Sequence, residues 1–260
     1  MLSPKPWQPW PVIIMACWIW LGICAGGLIL HVANPNPKTE TEQSVSEPSG
    51  ASGVQPEEAA KDPAWQMFSL GVGVLCLHGV ALAAIAGLVR EHRTTWSRAF
   101  GFDEPDRKEA LRLAALTAAA AVPAGMLLTI LCGLALQAAG MEPETQKTVQ
   151  LVQSENAPGN LLALGVVAIL IAPVVEELLF RGVFYPTIKQ QGHPVLAVVG
   201  VSLLFALSHA NAMTFVPLAL LSVALIWLYE KTNNLLAPIV AHALFNAANF
   251  IMITSGAFPS

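Results

Sequence analysis

Residues 156–182 read NAPGNLLALGVVAILIAPVVEELLFRG. The run 156–175 carries no charge, and then Glu176 and Glu177 arrive together, with Arg181 four residues beyond Glu177. A helix of about 20 apolar residues, rising ~1.5 Å each, spans the hydrocarbon of a bilayer. Further charge-free runs cover 11–33, 64–89, 113–140, 190–229 and 232–260. The run 190–229 is broken by His209-Ala210-Asn211-Ala212 and reads as two helices, which makes about seven spans. Leu, Ala and Val dominate without the polar alternation of a membrane barrel. The fold class expected is all-α: a polytopic transmembrane helical bundle of about seven spans.

Composition agrees. Hydrophobic residues make up 55% of the 260 and charged residues 12%, about half the usual charged share. The net charge of −4 leaves no basic footprint for nucleic acid. Cys17, Cys24, Cys76 and Cys132 all sit in apolar runs, and none forms a Cys-x-x-Cys pair, which argues against a disulfide framework or a thiolate zinc site.

Basic residues orient such a bundle. With the N-terminus in the cytoplasm, the inner segments hold Lys5, Arg90, Arg93, Arg98, Arg107, Lys108, Arg112, Arg181, Lys189 and Lys231, and the outer ones hold Lys38, Lys61 and Lys147. The expected location is the plasma membrane, multi-pass, N-terminus cytoplasmic. The chain divides into an uncleaved signal-anchor helix (1–33), a disordered acidic outer loop (34–63), two spans with a basic inner loop suited to anionic lipid (64–140), and a helical core (156–254). Segment 141–158 reads as a second polar outer loop. Trp7, Trp10, Trp18, Trp20 and Trp65 sit mostly near span ends, as an aromatic belt would.

A charge at the bilayer centre costs ~2.5–3.5 kcal/mol even on the mildest scale, so intramembrane ionisable groups are functional candidates. Glu177 and Arg181 have the spacing and order of a helix ion pair. Glu176 has no basic residue three or four positions on, which leaves it a free carboxylate. Phe205 and His209 share one face of the fifth span; His242 and Asn246 share one face of the seventh. The bland reading of these groups is interfacial anchoring and interhelical hydrogen bonding. Counted from the inner helix ends, Glu176, His209 and His242 lie about 15, 22 and 12 Å deep, close enough to meet at one level and nearer the inner side. Water is therefore expected to enter from that side. His31 and His78 are isolated on their spans and read as structural.

At these residues the chain resembles the CAAX prenyl endopeptidase and bacteriocin-processing (CPBP, or Abi) family of intramembrane proteases. The resemblance rests on Glu-Glu-x-x-x-Arg at 176–181, Phe-x-x-x-His at 205–209 and His-x-x-x-Asn at 242–246, in that order. It covers about 160–250. The sixth span has Ala219, Ser222 and Ala224 where the family commonly has glycine. The resemblance implies that Glu176 and His209 activate water, that His242 and Asn246 bind the oxyanion, and that Glu177, Arg181 and Phe205 support the site. It leaves two chemistries open. Glu176, His209 and His242 suit zinc in number and type, while the same set serves metal-free glutamate catalysis. The function implied is an endopeptidase acting on a membrane-associated protein or peptide, with the lipid bilayer as its other partner. The alternatives are a non-catalytic scaffold or immunity protein on the same fold, or a proton-coupled transporter.

Overall fold

The computed structural model describes residues 2–33 and 63–256, so the acidic segment 34–62 lies outside the described residues. All described secondary structure is helical. Helix α1 is Pro9–Ala33, α2 runs over 63–91, α3 is Trp96–Phe100 and α4 is Arg107–Ala138. Helix α5 is Lys147–Ser154, α6 is Pro158–Gln190, α7 is Pro194–Leu207, α8 is Ala212–Thr232 and α9 is Leu236–Thr254. Six of these are long and apolar enough to cross a membrane, and α7 is a shorter apolar helix. The chain is a multi-pass helical bundle, with the seven apolar helices that the charge-free runs predict.

Helix α1 packs along α2 as a hairpin. Helix α4 lies along α8 and α9, and α7 packs between α8 and the end of α6. Thus α4, which carries none of the motifs, is a wall of the same core. The end of the bundle that holds the N-terminus is tightly fastened. The Leu2 amide donates to Glu230, and the Ser3 amide and hydroxyl donate to Asn233. Lys189 pairs with Glu230, and Tyr185 donates its hydroxyl to the same carboxylate. Gly101, at φ +76°, sits so close to Asn233 that a Cβ there would lie 1.9 Å from its carbonyl oxygen. Trp7 departs from the belt reading. Its ring is buried, and its indole N–H donates to the Gly182 carbonyl at 2.6 Å.

That last bond has a covalent cause. Pro186 has no N–H to give to the carbonyls about one turn earlier, Gly182 among them. An unpaired buried carbonyl is costly, and Trp7 satisfies it. Helix α6 uses the same device one layer higher. Its stretch Val167–Ile171 is π-helical, so the Ala172 amide bonds back to Val167. The next residue, Pro173, has no N–H for Ala168. The Ala168 carbonyl is left over and accepts the Asn246 side-chain amide from α9 at 2.8 Å. Two further π-helical stretches are Val74–Gly79 in α2 and Leu178–Phe184 in α6. Such stretches shift which residues face inward and are frequent at functional sites.

The polar segment expected as a plain loop over 141–158 contains α5, which packs on α9. Helix α7 has 14 residues. At ~1.5 Å per residue it spans about 21 Å, less than the ~30 Å hydrocarbon core. The turn from α7 leads into α8, which has 21 residues. Ala210 reverses the chain there at φ +48°, a left-handed conformation uncommon outside glycine. The 139–157 connection meets that turn: Asn211 donates to the Glu144 carbonyl at 2.7 Å, and Gln146 donates to Thr214 Oγ1 at 2.8 Å. Irregular backbone at membrane depth is tolerated where it lines a water-filled cavity.

Candidate active site

A cavity of about 1230 Å³ occupies the bundle. Glu176, His209, His242 and Asn246 all line it. The resemblance had grouped these four, and the fold brings their helices together around one space.

The two glutamates differ sharply. Glu177 is fully buried, and its Oε1 accepts from Arg181 Nη1 at 2.8 Å and from His242 Nδ1 at 2.8 Å. Arg181 is also fully buried and lies over the Phe205 ring, 4.4 Å from its centroid. The ion pair read from the spacing is present, and it has a further member, His242. An ionised carboxylate only accepts, so His242 donates from Nδ1 and turns Nε2 toward the cavity. Glu176 is 24% exposed, and among the described residues no basic side chain hydrogen-bonds to it. Its Oε2 stands 3.9 Å from His242 Nε2. That is too far for a hydrogen bond, yet one oxygen atom can bridge both at about 2.8 Å.

Phe205 joins the two histidines. Its ring centroid is 4.9 Å from that of His209 and 5.7 Å from that of His242. His209 lies just past the end of α7, where Nδ1 faces the Phe205 carbonyl at 2.8 Å. A carbonyl only accepts, so the proton sits on Nδ1 and Nε2 carries a free lone pair. Asn246 has one amide N–H on Ala168 and a second to offer.

His78 departs from its structural reading. It lines the cavity with Glu176 and His209, and Glu176 is the carboxylate that faces it. Neither ring nitrogen makes a hydrogen bond of acceptable geometry, although both are shielded from solvent and the Val74 carbonyl lies one turn back. No spacing rule flags His78, because its partners are on other helices and a π-helical stretch sets its direction.

The cavity also corrects the expected side of entry. Its wall includes Ile23 and Leu30 from the second half of α1, Leu70 from the start of α2, and Thr145 and Lys147 from the 139–157 connection. All of these lie toward the end of the bundle opposite the N-terminus. Glu176 itself lies nearer the fastened end of α6, which runs Pro158–Gln190; depth along a helix does not tell toward which end the surrounding cavity widens.

Among the described residues, no three His, Cys, Asp or Glu side chains converge closely enough to hold a metal ion. His242 keeps Nε2 free while Glu177 holds Nδ1, as a metal-ligating imidazole commonly does, but Glu176, His209 and His242 are not drawn close enough together here to hold zinc, so no step below runs through a metal.

Fold and site together define a polytopic helical membrane protein with a free carboxylate and imidazoles around an intramembrane cavity. Residues 158–248, from the start of α6 into α9, match the protein family described as type II CAAX prenyl endopeptidase Rce1-like. The match covers the segment that carries the three motifs, in agreement with the resemblance read from them. No curated protein and no solved structure matches the chain.

Proposed function

We propose that the chain is an intramembrane endopeptidase that hydrolyses a peptide bond of a membrane-associated protein or peptide. The observation that carries this is Glu176: a carboxylate with no basic hydrogen-bond partner, on the cavity wall, beside an imidazole held in place by a buried ion pair. Glu176 takes a proton from water while His209 Nε2 holds that water by its other hydrogen. The oxygen attacks the carbonyl carbon, and negative charge develops on the former carbonyl oxygen. His242, protonated on Nε2 and offset by the Glu177 carboxylate, donates to that oxyanion, as does the second Asn246 N–H. Collapse of the intermediate breaks the C–N bond, and the proton taken by Glu176 passes to the leaving amine. Preorganised donors in a water-poor cavity stabilise developing charge strongly. Cleavage of reporter membrane peptides by purified wild type and by Glu176→Ala tests the reading. Equal cleavage by both refutes it.

Two effects should follow on the walls. Asn246→Ala strands the Ala168 carbonyl, which costs ~1–3 kcal/mol in an apolar setting. It should also lower the rate per folded molecule by ~10²–10³. Measuring the folded fraction and the turnover on the same samples separates the two roles, and normal turnover per folded molecule would restrict Asn246 to joining α6 and α9. For His78, the open ring nitrogens assign it to donate to the substrate or leaving group. His78→Gln should lower turnover by at least ~10-fold at unchanged melting temperature. A variant as active as wild type returns His78 to a purely structural place.

A further inference from the structure

The position of the cavity and the distribution of charge bear on which compartment supplies the substrate. The fastened end of the bundle, with the N-terminus and the connections 92–106, 191–193 and 233–235, holds Lys5, Arg90, Arg93, Arg98, Arg107, Lys108, Arg112, Lys189 and Lys231. Arg181 drops out of the sequence tally because it is buried against Glu177. Among the described residues the opposite end has Lys147. Basic residues in short connections stay in the cytoplasm, whereas acidic ones matter little. The bias therefore survives the correction and places the fastened end inside.

The cavity lies at the other end. The far end of the short α7, its turn with Ala210 and the 139–157 connection bonded to that turn all belong to that end. Glu176 is reached past Thr145, Lys147 and Thr148, whereas the N-terminal end is closed by the strap over Glu230, Asn233 and Gly182.

We propose that the site is served from the extracytoplasmic side, and that its substrate is a membrane-tethered peptide whose scissile bond lies outside the cytoplasm. The substrate class rests on the endopeptidase reading above; the sidedness rests on geometry and charge alone. The tether follows from depth: Glu176 lies within the span α6, so a peptide held at the bilayer reaches it with less ordering cost than one free in water.

Two arms test the proposal and keep it apart from the endopeptidase reading. In the first, Thr148→Cys at the cavity mouth and Ser97→Cys in α3, both exposed positions, are made in the otherwise unchanged chain. Intact spheroplasts are treated with a membrane-impermeant maleimide, and labelling is read residue by residue by mass spectrometry, so the four native cysteines need not be removed. Residue 148 should label in intact cells, and residue 97 only after lysis. The reverse pattern overturns the proposal. In the second arm, an acyl-anchored quenched peptide is added to right-side-out and to inside-out membrane vesicles. Cleavage should be at least tenfold faster in right-side-out vesicles and absent in Glu176→Gln vesicles. Glu176-dependent cleavage confined to inside-out vesicles overturns the sidedness and leaves the endopeptidase reading standing. Outside labelling of residue 148 with no Glu176-dependent cleavage in either orientation overturns the substrate class and the endopeptidase reading, while the sidedness stands.

Discussion

Glu176→Gln protein should fold as wild type does and cleave a reporter peptide ~10²–10⁴-fold more slowly, the usual loss on removing a general base. The substitution is nearly isosteric. Among the described residues Glu176 makes no ion pair with Arg or Lys that its loss would break, so the fold should tolerate it. The amide still hydrogen-bonds to water but cannot take its proton. The same exchange at Glu177 should behave differently, because Glu177 holds Arg181 and His242 at once. Glu177→Gln should lower yield and melting temperature together with activity. The decisive measurement is turnover per folded molecule beside a thermal melt. Near-normal turnover of well-folded Glu176→Gln would remove Glu176 as the base and turn attention to the histidines.

The second large effect belongs to Arg181. Both partners of its ion pair with Glu177 are fully buried. Breaking a buried pair by deleting one partner typically costs ~3–5 kcal/mol, because the other charge is left without compensation. Arg181→Ala also removes the guanidinium packed over Phe205 and so loosens the ring between the two histidines. Expression should fall steeply and the melting temperature should drop. Adding Glu177→Gln to Arg181→Ala removes the stranded carboxylate and should recover part of the yield. It should not recover activity, since His242 then loses the acceptor that orients it. Arg181→Ala as stable as wild type would show that the pair contributes nothing to folding. Full activity in the double variant would show that His242 needs no orientation from Glu177.

The spans and the Glu177–Arg181 pair were legible in the amino-acid order. Both are local: about 20 apolar residues must cross a bilayer whatever their neighbours, and residues four apart on a helix meet by geometry. The shared faces of Phe205 with His209 and of His242 with Asn246 follow from the same period. What lies between helices was not legible. Spacing within α9 does not reveal that His242 Nδ1 finds Glu177 on α6, 65 positions away. Nor does it reveal that Asn246 satisfies a carbonyl orphaned by Pro173 and a π-helical stretch. His78 looked isolated because isolation along one helix says nothing about the helix opposite. The direction of the cavity was misread for a related reason. It depends on how a 14-residue α7 and the polar connection bonded to its turn pack against the longer helices. Hydropathy determines which segments enter the membrane; only the packing of those segments decides where the membrane is left open to water.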